Sequence, residues 1–245
     1  MTTSTTTALI TGANKGLGAE TARRLAALGW TVWMGARSVE AATTAADAVR
    51  AQQPDADLRV VQLDVTDDAS VTAARDTVAG SGTGLDVLVN NAGIAAGGYD
   101  TLATVPADFL ATYGVNVLGP VRVTHAFLPL LRASARPRIV MVSSGLGSIE
   151  HVLDPERIES TVPGFVYQSS KAALDMIAVQ YAKALPEVRV STVDPGYTAT
   201  DLNGHSGPQT VTEGTDAIVA AASADVVPDH KFDRGHLGLD VGAPA

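Results

Sequence analysis

The sequence contains no cysteine among its 245 residues. This absence excludes disulfide bonds, thiolate nucleophiles and cysteine-ligated zinc. The five histidines show no helical i, i+4 pairing, and the acidic residues show no metal-loop spacing. These histidines are His125, His151, His205, His230 and His236. We therefore predict no metal site.

Basic residues and long apolar runs are also scarce. Lys and Arg total 17 against 26 Asp and Glu, which gives a formal charge of -9 and argues against binding to a nucleic-acid backbone. No uninterrupted apolar run approaches the roughly 18 residues of a membrane span. The first ten residues lack the basic segment of a signal peptide. The sequence therefore predicts a soluble, cytoplasmic protein with neither nucleic acid nor membrane as a partner.

Short apolar runs alternate with longer Ala-rich segments of helical spacing. With 46% hydrophobic residues in 245, the chain can bury one sizeable core. The alternation predicts a single α/β domain, a doubly wound parallel sheet with helices on both faces. The predicted strands are 7–11, 31–36, 58–64, 87–90, 138–143 and 189–194. The predicted helices are 17–28, 39–52, 70–78, 108–132 (interrupted near Gly119-Pro120), 167–185 and 212–222.

A glycine-rich segment, TGANKGLG at 11–18, joins the first predicted strand to the first predicted helix. The start of a helix offers free N–H groups and a favourable dipole to a phosphate, and glycine lets the backbone approach closely. The spacing G-x-x-x-G-x-G differs from the standard dinucleotide fingerprint, although the strand-loop-helix context is the same. Taken alone, the segment fits either a phosphate site or an ordinary tight turn.

Tyr167 and Lys171 are four residues apart at the start of a predicted helix, so their side chains share one face. A neighbouring ammonium stabilises a phenolate and lowers the pKa of the phenol toward the range of acid-base catalysis. The structural alternative is a partly buried tyrosine beside a surface lysine. Ser143 and Ser144 end the fifth strand, where a hydroxyl can hydrogen-bond a substrate carbonyl oxygen. Because the two serines point to opposite sides of an extended backbone, the residues alone leave both open.

Three blocks in this order, TGANKGLG at 11–18, NNAG at 90–93 and Tyr-x-x-x-Lys at 167–171, resemble the short-chain dehydrogenase/reductase family, and in particular its NADPH-dependent carbonyl reductases. They span nearly the whole chain. The resemblance implies one Rossmann-type catalytic domain over 1–245, which reduces a ketone or aldehyde to an alcohol with NADP(H). Two alternatives are a dinucleotide-sensing protein without turnover and an NAD-dependent alcohol dehydrogenase.

The resemblance also implies the site residues. Ser144 would steady the substrate oxygen and Tyr167 would protonate it. Lys171 would tune Tyr167 and hold the ribose, while Asn116 would hold a water for proton relay. The cofactor-binding residues that it implies are Gly12, Asn14, Lys15, Gly16, Leu17, Gly18, Arg37, Asp64, Val65, Asn90, Ala92, Gly93, Tyr167, Lys171, Pro195, Gly196, Thr198 and Thr200.

The end of the second strand bears on the choice of cofactor. It lacks the Asp or Glu that commonly accepts hydrogen bonds from the adenosine ribose. Lys15 and Arg37 are instead cations able to pair with a 2′-phosphate, and we expect no nearby acid to repel that phosphate. NADPH is therefore predicted over NADH. The alternative is that both residues are ordinary solvated charges.

Two Gly/Pro-rich or polar stretches, 145–166 and 200–210, are predicted to be substrate loops. Ser144 and Tyr167 lie 23 positions apart, more than in many members of the family, so the first stretch is enlarged. Its apolar residues are either pocket walls or simple packing residues, and 202–209 is either a mobile lid or an ordinary loop. Because such insertions resemble those of monomeric carbonyl reductases, both a homo-oligomer and a monomer remain open. The apolar residues are Leu146, Leu153, Phe165 and Val166.

Overall fold

The computed structural model describes residues 5–96 and 100–224. Six strands form one parallel sheet in the order β3-β2-β1-β4-β5-β6, which confirms the predicted architecture. The chain leaves β1 in one direction to reach β2 and β3, then returns past β1 to β4. Ligands bind at this kind of reversal, beyond the carboxyl ends of the strands. The strands are β1 Thr7–Thr11, β2 Thr31–Ala36, β3 Leu58–Gln62, β4 Val87–Asn90, β5 Arg138–Val142 and β6 Arg189–Val193.

Helices cover both faces of this sheet because neighbouring residues of a strand point in opposite directions. On β1, Ile10 packs into a core with helices α1, α2 and α9, whereas Leu9 packs into a second core with α3, α5 and α7. The helices are α1 Gly16–Ala26, α2 Val39–Arg50, α3 Asp68–Gly80, α4 Pro106–Tyr113, α5 Gly119–Arg132, α6 Ile149–Leu153, α7 Val166–Ala184, α8 Val211–Gly214 and α9 Asp216–Ser223.

The predicted helix 108–132 is divided where the chain makes a π-helical turn, Gly114–Leu118, between α4 and α5. The division comes just before the predicted Gly119-Pro120. Proline has no N–H, so the carbonyl of Asn116 has no α-helical donor at position 120. The predicted helix 212–222 is likewise divided into α8 and α9 at Thr215.

Three strands end one or two residues earlier than predicted, at Gln62, Val142 and Val193. Of the residues that follow, Leu63, Ser143 and Asp194 remain buried but lie beyond the strands, at the carboxyl edge of the sheet. Within 5–96 and 100–224, no helix combines the length and apolar character of a membrane span. No group of three potential metal ligands occurs in that same part of the chain, and the predicted non-ligands His230 and His236 lie outside it.

Candidate active site

The glycine-rich segment after β1 packs directly against the end of β4. Gly12 and Gly16 have φ values of 64° and 53°, a backbone conformation that glycine adopts without steric cost. A Cβ on Gly12 would lie 3.0 Å from the Ala92 Cα. A Cβ on Gly18 would overlap the Gly12 carbonyl oxygen and lie 2.6 Å from Asn91 Nδ2. The close approach of α1 to β4 therefore requires glycine at 18.

Asn91 and Thr11, which the sequence analysis did not select, hold this contact together. Asn91 Nδ2 donates to the carbonyl oxygens of Thr11 at 2.8 Å and Gly12 at 3.2 Å. The Thr11 hydroxyl accepts from the backbone N–H groups of Asn91 and Ala92 at 3.0 and 2.9 Å. The predicted Asn90 instead turns its side chain inward, toward Thr124 Oγ1 at 3.2 Å. The sequence feature that could have identified Asn91 is its position in the NNAG block at 90–93.

The start of α1 fits the pyrophosphate of a dinucleotide. Lys15 precedes the helix without a side-chain capping bond, and the first turn holds no acidic residue. The first N–H groups of a helix have no acceptor within it, so those of Gly16 and Gly18 are available to an anion. A Cβ on Gly16 would meet only the Thr200 side chain, at 3.8 Å, so the space in front of the loop is open. Leu17 packs its side chain back onto the core, and Asn14 is partly buried.

Two carboxylates lie near the cations predicted to select the cofactor, which corrects the expectation that no acid would. Lys15 Nζ pairs with Asp201 Oδ2 at 2.6 Å, and both side chains are more than half exposed to solvent. Burial raises the pKa of Asp64, but hydrogen bonds from Thr66 and the positive charge of Arg37 outweigh this effect and leave that pKa lowered. The sequence did not reveal these two acids because Asp201 is far from Lys15, and Asp64 far from Arg37, along the chain. Val65, beside Asp64, is buried.

Tyr167 and Lys171 occupy the first turns of α7, as the spacing predicted. Lys171 Nζ lies 5.5 Å from the centroid of the Tyr167 ring and donates to the Val142 carbonyl at 2.8 Å, at the end of β5. A Cβ on Gly147 would lie 2.8 Å from the Lys171 backbone, so α7 lies directly against the turn after β5. This contact brings the phenol and the ammonium to the carboxyl edge of the sheet.

The two serines after β5 face different neighbours. The Ser144 hydroxyl is directed at the Tyr167 phenol and lowers its pKa. The buried Ser143 hydroxyl is directed at Asp175 of α7 and lowers the pKa of that carboxyl. The strand geometry thus separates two hydroxyls that the residues alone left equivalent, and Ser144 is the one beside Tyr167.

The pKa of Tyr167 differs from the sequence expectation. Burial raises it, the hydrogen bond from Ser144 lowers it, and the charge of Asp194 raises it further. The net direction is upward, because desolvation of the phenolate outweighs the other effects. Burial also lowers the pKa of Lys171 to about 8, against the opposing charges of Asp175 and Asp194. The phenol therefore holds its proton at neutral pH.

Asn116 lies in the π-helical turn beside Lys171, and its side chain makes three hydrogen bonds. Its amide nitrogen donates to the carbonyl of Ile94 at 2.9 Å and to Ser170 Oγ at 3.0 Å, and its amide oxygen accepts from the Ile94 N–H at 2.9 Å. A Cβ on Gly93 would lie 3.6 Å from both Asn116 Oδ1 and Lys171 Nζ. Pro120 has no N–H, so the backbone carbonyl of Asn116 has no α-helical donor at position 120.

The segment after β6 turns sharply at Pro195-Gly196. Gly196 has a φ of 72° and its N–H donates to Asp194 Oδ1 at 3.0 Å. Thr198 is buried and its hydroxyl donates to the Pro195 carbonyl at 3.1 Å, whereas the Thr200 side chain faces Gly16. Thr200 is thus the threonine that faces the glycine loop.

The predicted lid, 202–209, is tied to the segment that precedes it. Asn203 Nδ2 donates to the Thr198 carbonyl at 2.8 Å, and Asn203 Oδ1 accepts from the Thr200 N–H at 3.2 Å. The Tyr197 and Ser206 hydroxyls lie 2.5 Å apart. These bonds support an ordered loop.

The enlarged segment between β5 and α7 folds back onto the site. Glu159 pairs with Arg157 at 3.0 Å and lies against Gly145, the neighbour of Ser144. Phe165 is 46% exposed and contacts Phe109 of α4 edge to face, with ring centroids 5.1 Å apart. Of the predicted wall residues, Val166 is buried, Leu146 is partly buried, and Leu153 is 75% exposed.

Comparison with known proteins agrees with this geometry. The profile of the family described as short chain dehydrogenase matches residues 6–210. The chain is 38% identical to the short-chain dehydrogenase anuI of Penicillium roqueforti, over 88% of this chain and 87% of that protein. It is 32% identical to (+)-neomenthol dehydrogenase of Arabidopsis thaliana, over 88% of this chain and 90% of that protein. The NADPH-bound carbonyl reductase from chicken fatty liver has a TM-score of 0.79 at 28% identity, over 90% and 92% of the two chains. The chain therefore belongs to the short-chain dehydrogenase/reductase family of oxidoreductases, which bind a nicotinamide dinucleotide.

Proposed function

We propose that the chain reduces a ketone or aldehyde to the alcohol with NADPH, and that Tyr167 donates the proton. The observation that carries the proposal is the meeting of Tyr167, Ser144 and Lys171 at the sheet edge that also holds the glycine loop. The relatives named as a neomenthol dehydrogenase and a carbonyl reductase support this class of substrate.

The cofactor-binding part of the proposal depends on the loops at this edge. The first N–H groups of α1 bind the pyrophosphate, and Thr200 closes the opposite side of the same space. Lys15 and Arg37 pair with the 2′-phosphate. When bound, NADPH supplies the hydride, and the chain supplies orientation and electrostatics.

Each of the clustered side chains has a separate task in this reaction. Ser144 donates a hydrogen bond to the substrate oxygen, on which negative charge builds as the carbonyl is reduced. Tyr167, held protonated by its burial, transfers its proton to that oxygen. The Lys171 ammonium stabilises the phenolate that remains. A water on the backbone carbonyl of Asn116 restores the proton through Lys171.

The decisive experiment follows the loss of NADPH absorbance with a panel of ketones and aldehydes. We expect turnover by the unmodified protein and a loss of about 10³-fold in kcat for Tyr167→Phe, with NADPH binding retained. Tyr181→Phe is the matched control, because Tyr181 lies on the same helix and its hydroxyl has no hydrogen-bond partner among the described residues. A protein that binds NADPH but oxidises none would be a sensor, and full turnover by Tyr167→Phe would refute the mechanism.

The cofactor preference needs its own measurement. We expect a lower dissociation constant for NADPH than for NADH, and a reversal of this order in Arg37→Asp, whose carboxylate repels a phosphate. Tighter binding of NADH by the unmodified protein would favour an NAD-dependent alcohol dehydrogenase instead.

A further inference from the structure

A buried carboxyl that the proposed reaction does not use lies next to its lysine. Asp175 is 8% exposed and sits one helical turn after Lys171, so the two side chains share a face of α7. Its Oδ1 atom is buried and accepts no hydrogen bond from the described residues. The Ser143 hydroxyl lies close enough to lower the pKa of Asp175, although their geometry is not that of a formed hydrogen bond. Burial of such an acid is costly unless a charge compensates it.

Lys171 is the cation that can compensate it, and it has few other partners. Lys171 is 4% exposed, and it donates a hydrogen bond to the neutral Val142 carbonyl of β5. Within residues 5–96 and 100–224, the titratable groups that act on it are Tyr167 and Asp175 on α7 and Asp194, which follows β6. The π-helical turn contributes only the neutral amide of Asn116, close to Gly93.

Of the two carboxylates, Asp175 is placed to act mainly on the lysine. Asp194 is bound to the Gly196 N–H, and its charge also raises the pKa of Tyr167, which opposes ionisation of the phenol. Asp175 opposes the desolvation of Lys171 more strongly than Asp194 does, whereas the carboxylate that raises the pKa of Tyr167 is Asp194. Asp175 therefore supports the ammonium more than it opposes the phenolate.

We infer that Asp175 is a positioning residue that keeps the buried Lys171 side chain as an ammonium, the form that must stabilise the Tyr167 phenolate. The catalytic part of this inference rests on the proposed function. The electrostatic effect of Asp175 on Lys171 does not, and it can be tested without any substrate or cofactor.

The charge states give the inference a distinctive pH dependence. Burial raises the pKa of Asp175 to about 6 and lowers that of Lys171 to about 8. Below the first value Asp175 is neutral and contributes nothing, so its replacement by asparagine should change little. Between the two values Asp175 is a carboxylate and Lys171 an ammonium, so the replacement should lower the pKa of Lys171. The loss of the Lys171 positive charge in Asp175→Asn should therefore grow as the pH rises.

The direct experiment is an NMR titration of lysine labelled with ¹³C at Cε. The chain has only four lysines, Lys15, Lys171, Lys183 and Lys231, and the signal of Lys171 is assigned by its absence from Lys171→Met. We expect Asp175→Asn to lower the pKa of Lys171 by about one unit. Asp47→Asn removes the same charge from α2, where Asp47 pairs with Arg50 at the surface, and should leave Lys171 unchanged. An unchanged Lys171 titration in Asp175→Asn would overturn the inference.

The kinetic experiment tests the catalytic consequence. The basic limb of the kcat profile should move to lower pH in Asp175→Asn by the shift measured for Lys171, with kcat equal to that of the unmodified protein below about pH 6. A loss that is the same at every pH would show a merely structural role and overturn the inference. If the unmodified protein shows no turnover, the proposed function fails while the titration still decides the pairing.

Should Asp175→Asn not fold, Ser143→Ala provides the second variant, because it leaves α7 intact. Without the hydroxyl, Asp175 stays neutral to a higher pH. The pKa of Lys171 should then fall in the same direction by a smaller amount. If the pKa of Lys171 is unchanged in both variants, the inference is contradicted.

Discussion

The glycine-loop side of the crevice is closely packed, whereas the side proposed to receive the substrate, residues 145–165, has apolar side chains exposed to solvent. Added atoms at Gly12 or Gly18 would collide with backbone or with Asn91. By contrast, Ile149, Leu153 and Ile158 are 74%, 75% and 65% exposed. Close backbone contacts define a fixed cradle, and exposed apolar groups define a surface on which many shapes can pack.

This contrast indicates that cofactor binding and substrate specificity depend on different sides of the crevice. The packed side fits a ligand of one shape, a dinucleotide, and leaves little room for variation. The open side is joined to the reacting groups through Glu159, which lies against Gly145, and through Phe165 at the start of α7. Changes there should alter which carbonyl compound is reduced before they alter whether reduction occurs.

Among the variants that compare the two sides, the largest effect should arise where the sides meet, at Ser144. Ser144→Ala removes the hydroxyl beside Tyr167, and we expect kcat to fall by about 10²-fold to 10³-fold with little change in the NADPH dissociation constant. Ser148→Ala is the matched control, because Ser148 caps α6 by accepting the His151 N–H at 3.3 Å. It should reduce stability by about 1 kcal/mol and leave kcat unchanged. Equal losses of kcat in Ser144→Ala and Ser148→Ala would contradict a specific role for Ser144 in the reaction.

The next effect tests the packed side alone. Gly18→Ala places a methyl group against the Gly12 carbonyl and Asn91, so we expect a loss of about 2 kcal/mol in the free energy of unfolding and weaker NADPH binding. Gly80→Ala, at the end of α3, meets nothing within 4 Å and should not destabilise the protein. Chemical denaturation of both variants measures the difference. Equal stability of the two variants would mean that the glycine loop and Asn91 can move apart to admit the methyl group.

Local sequence patterns predicted most of the fold and the placement of Tyr167 next to Lys171. All six strands follow from short apolar runs between helical segments, and the four-residue spacing places Tyr167 beside Lys171 because a helix turns every 3.6 residues. The parallel sheet with helices on both faces also follows from the alternation, whereas the order of the strands was not predicted. Errors at strand ends arose because residues such as Ser143 stay buried after leaving the sheet.

Residues that matter through distant contacts could not be read from the pattern. Asp175 looks like an ordinary polar position of α7 until β5 and β6 enclose it, and Asp201 approaches Lys15 only through the fold. The direction of the pKa shift of Tyr167 was also missed, since desolvation depends on what surrounds the ring. The choice between Ser143 and Ser144 needed the position of α7.

A smaller effect should appear on the open side. Phe165→Ala removes a half-exposed ring that packs on Phe109. We expect KM to rise about tenfold for bulky apolar ketones and to change little for small ones, because only large substrates reach the ring. Leu28→Ala, a 54% exposed leucine after α1, is the control and should affect neither. A uniform rise in KM would place Phe165 among packing residues.

The smallest effect concerns the ion pair that joins Lys15 of the glycine loop to Asp201 of the segment after β6. Asp201 accepts from Lys15 at 2.6 Å and from His205 Nε2 at 2.8 Å, so part of the Lys15 charge is neutralised before a phosphate arrives. Asp201→Asn should therefore tighten NADPH binding by about twofold to fivefold, within the small range of exposed ion pairs, and leave NADH binding unchanged. The gain should vanish in about 1 M salt, where charges are screened within roughly 3 Å. Asp76→Asn, which disrupts a surface pair with Arg75, should change neither affinity. NADPH differs from NADH by its 2′-phosphate, which is the group proposed to pair with Lys15. Equal tightening of both dinucleotides would therefore mean that Asp201 acts by holding the loop over the site.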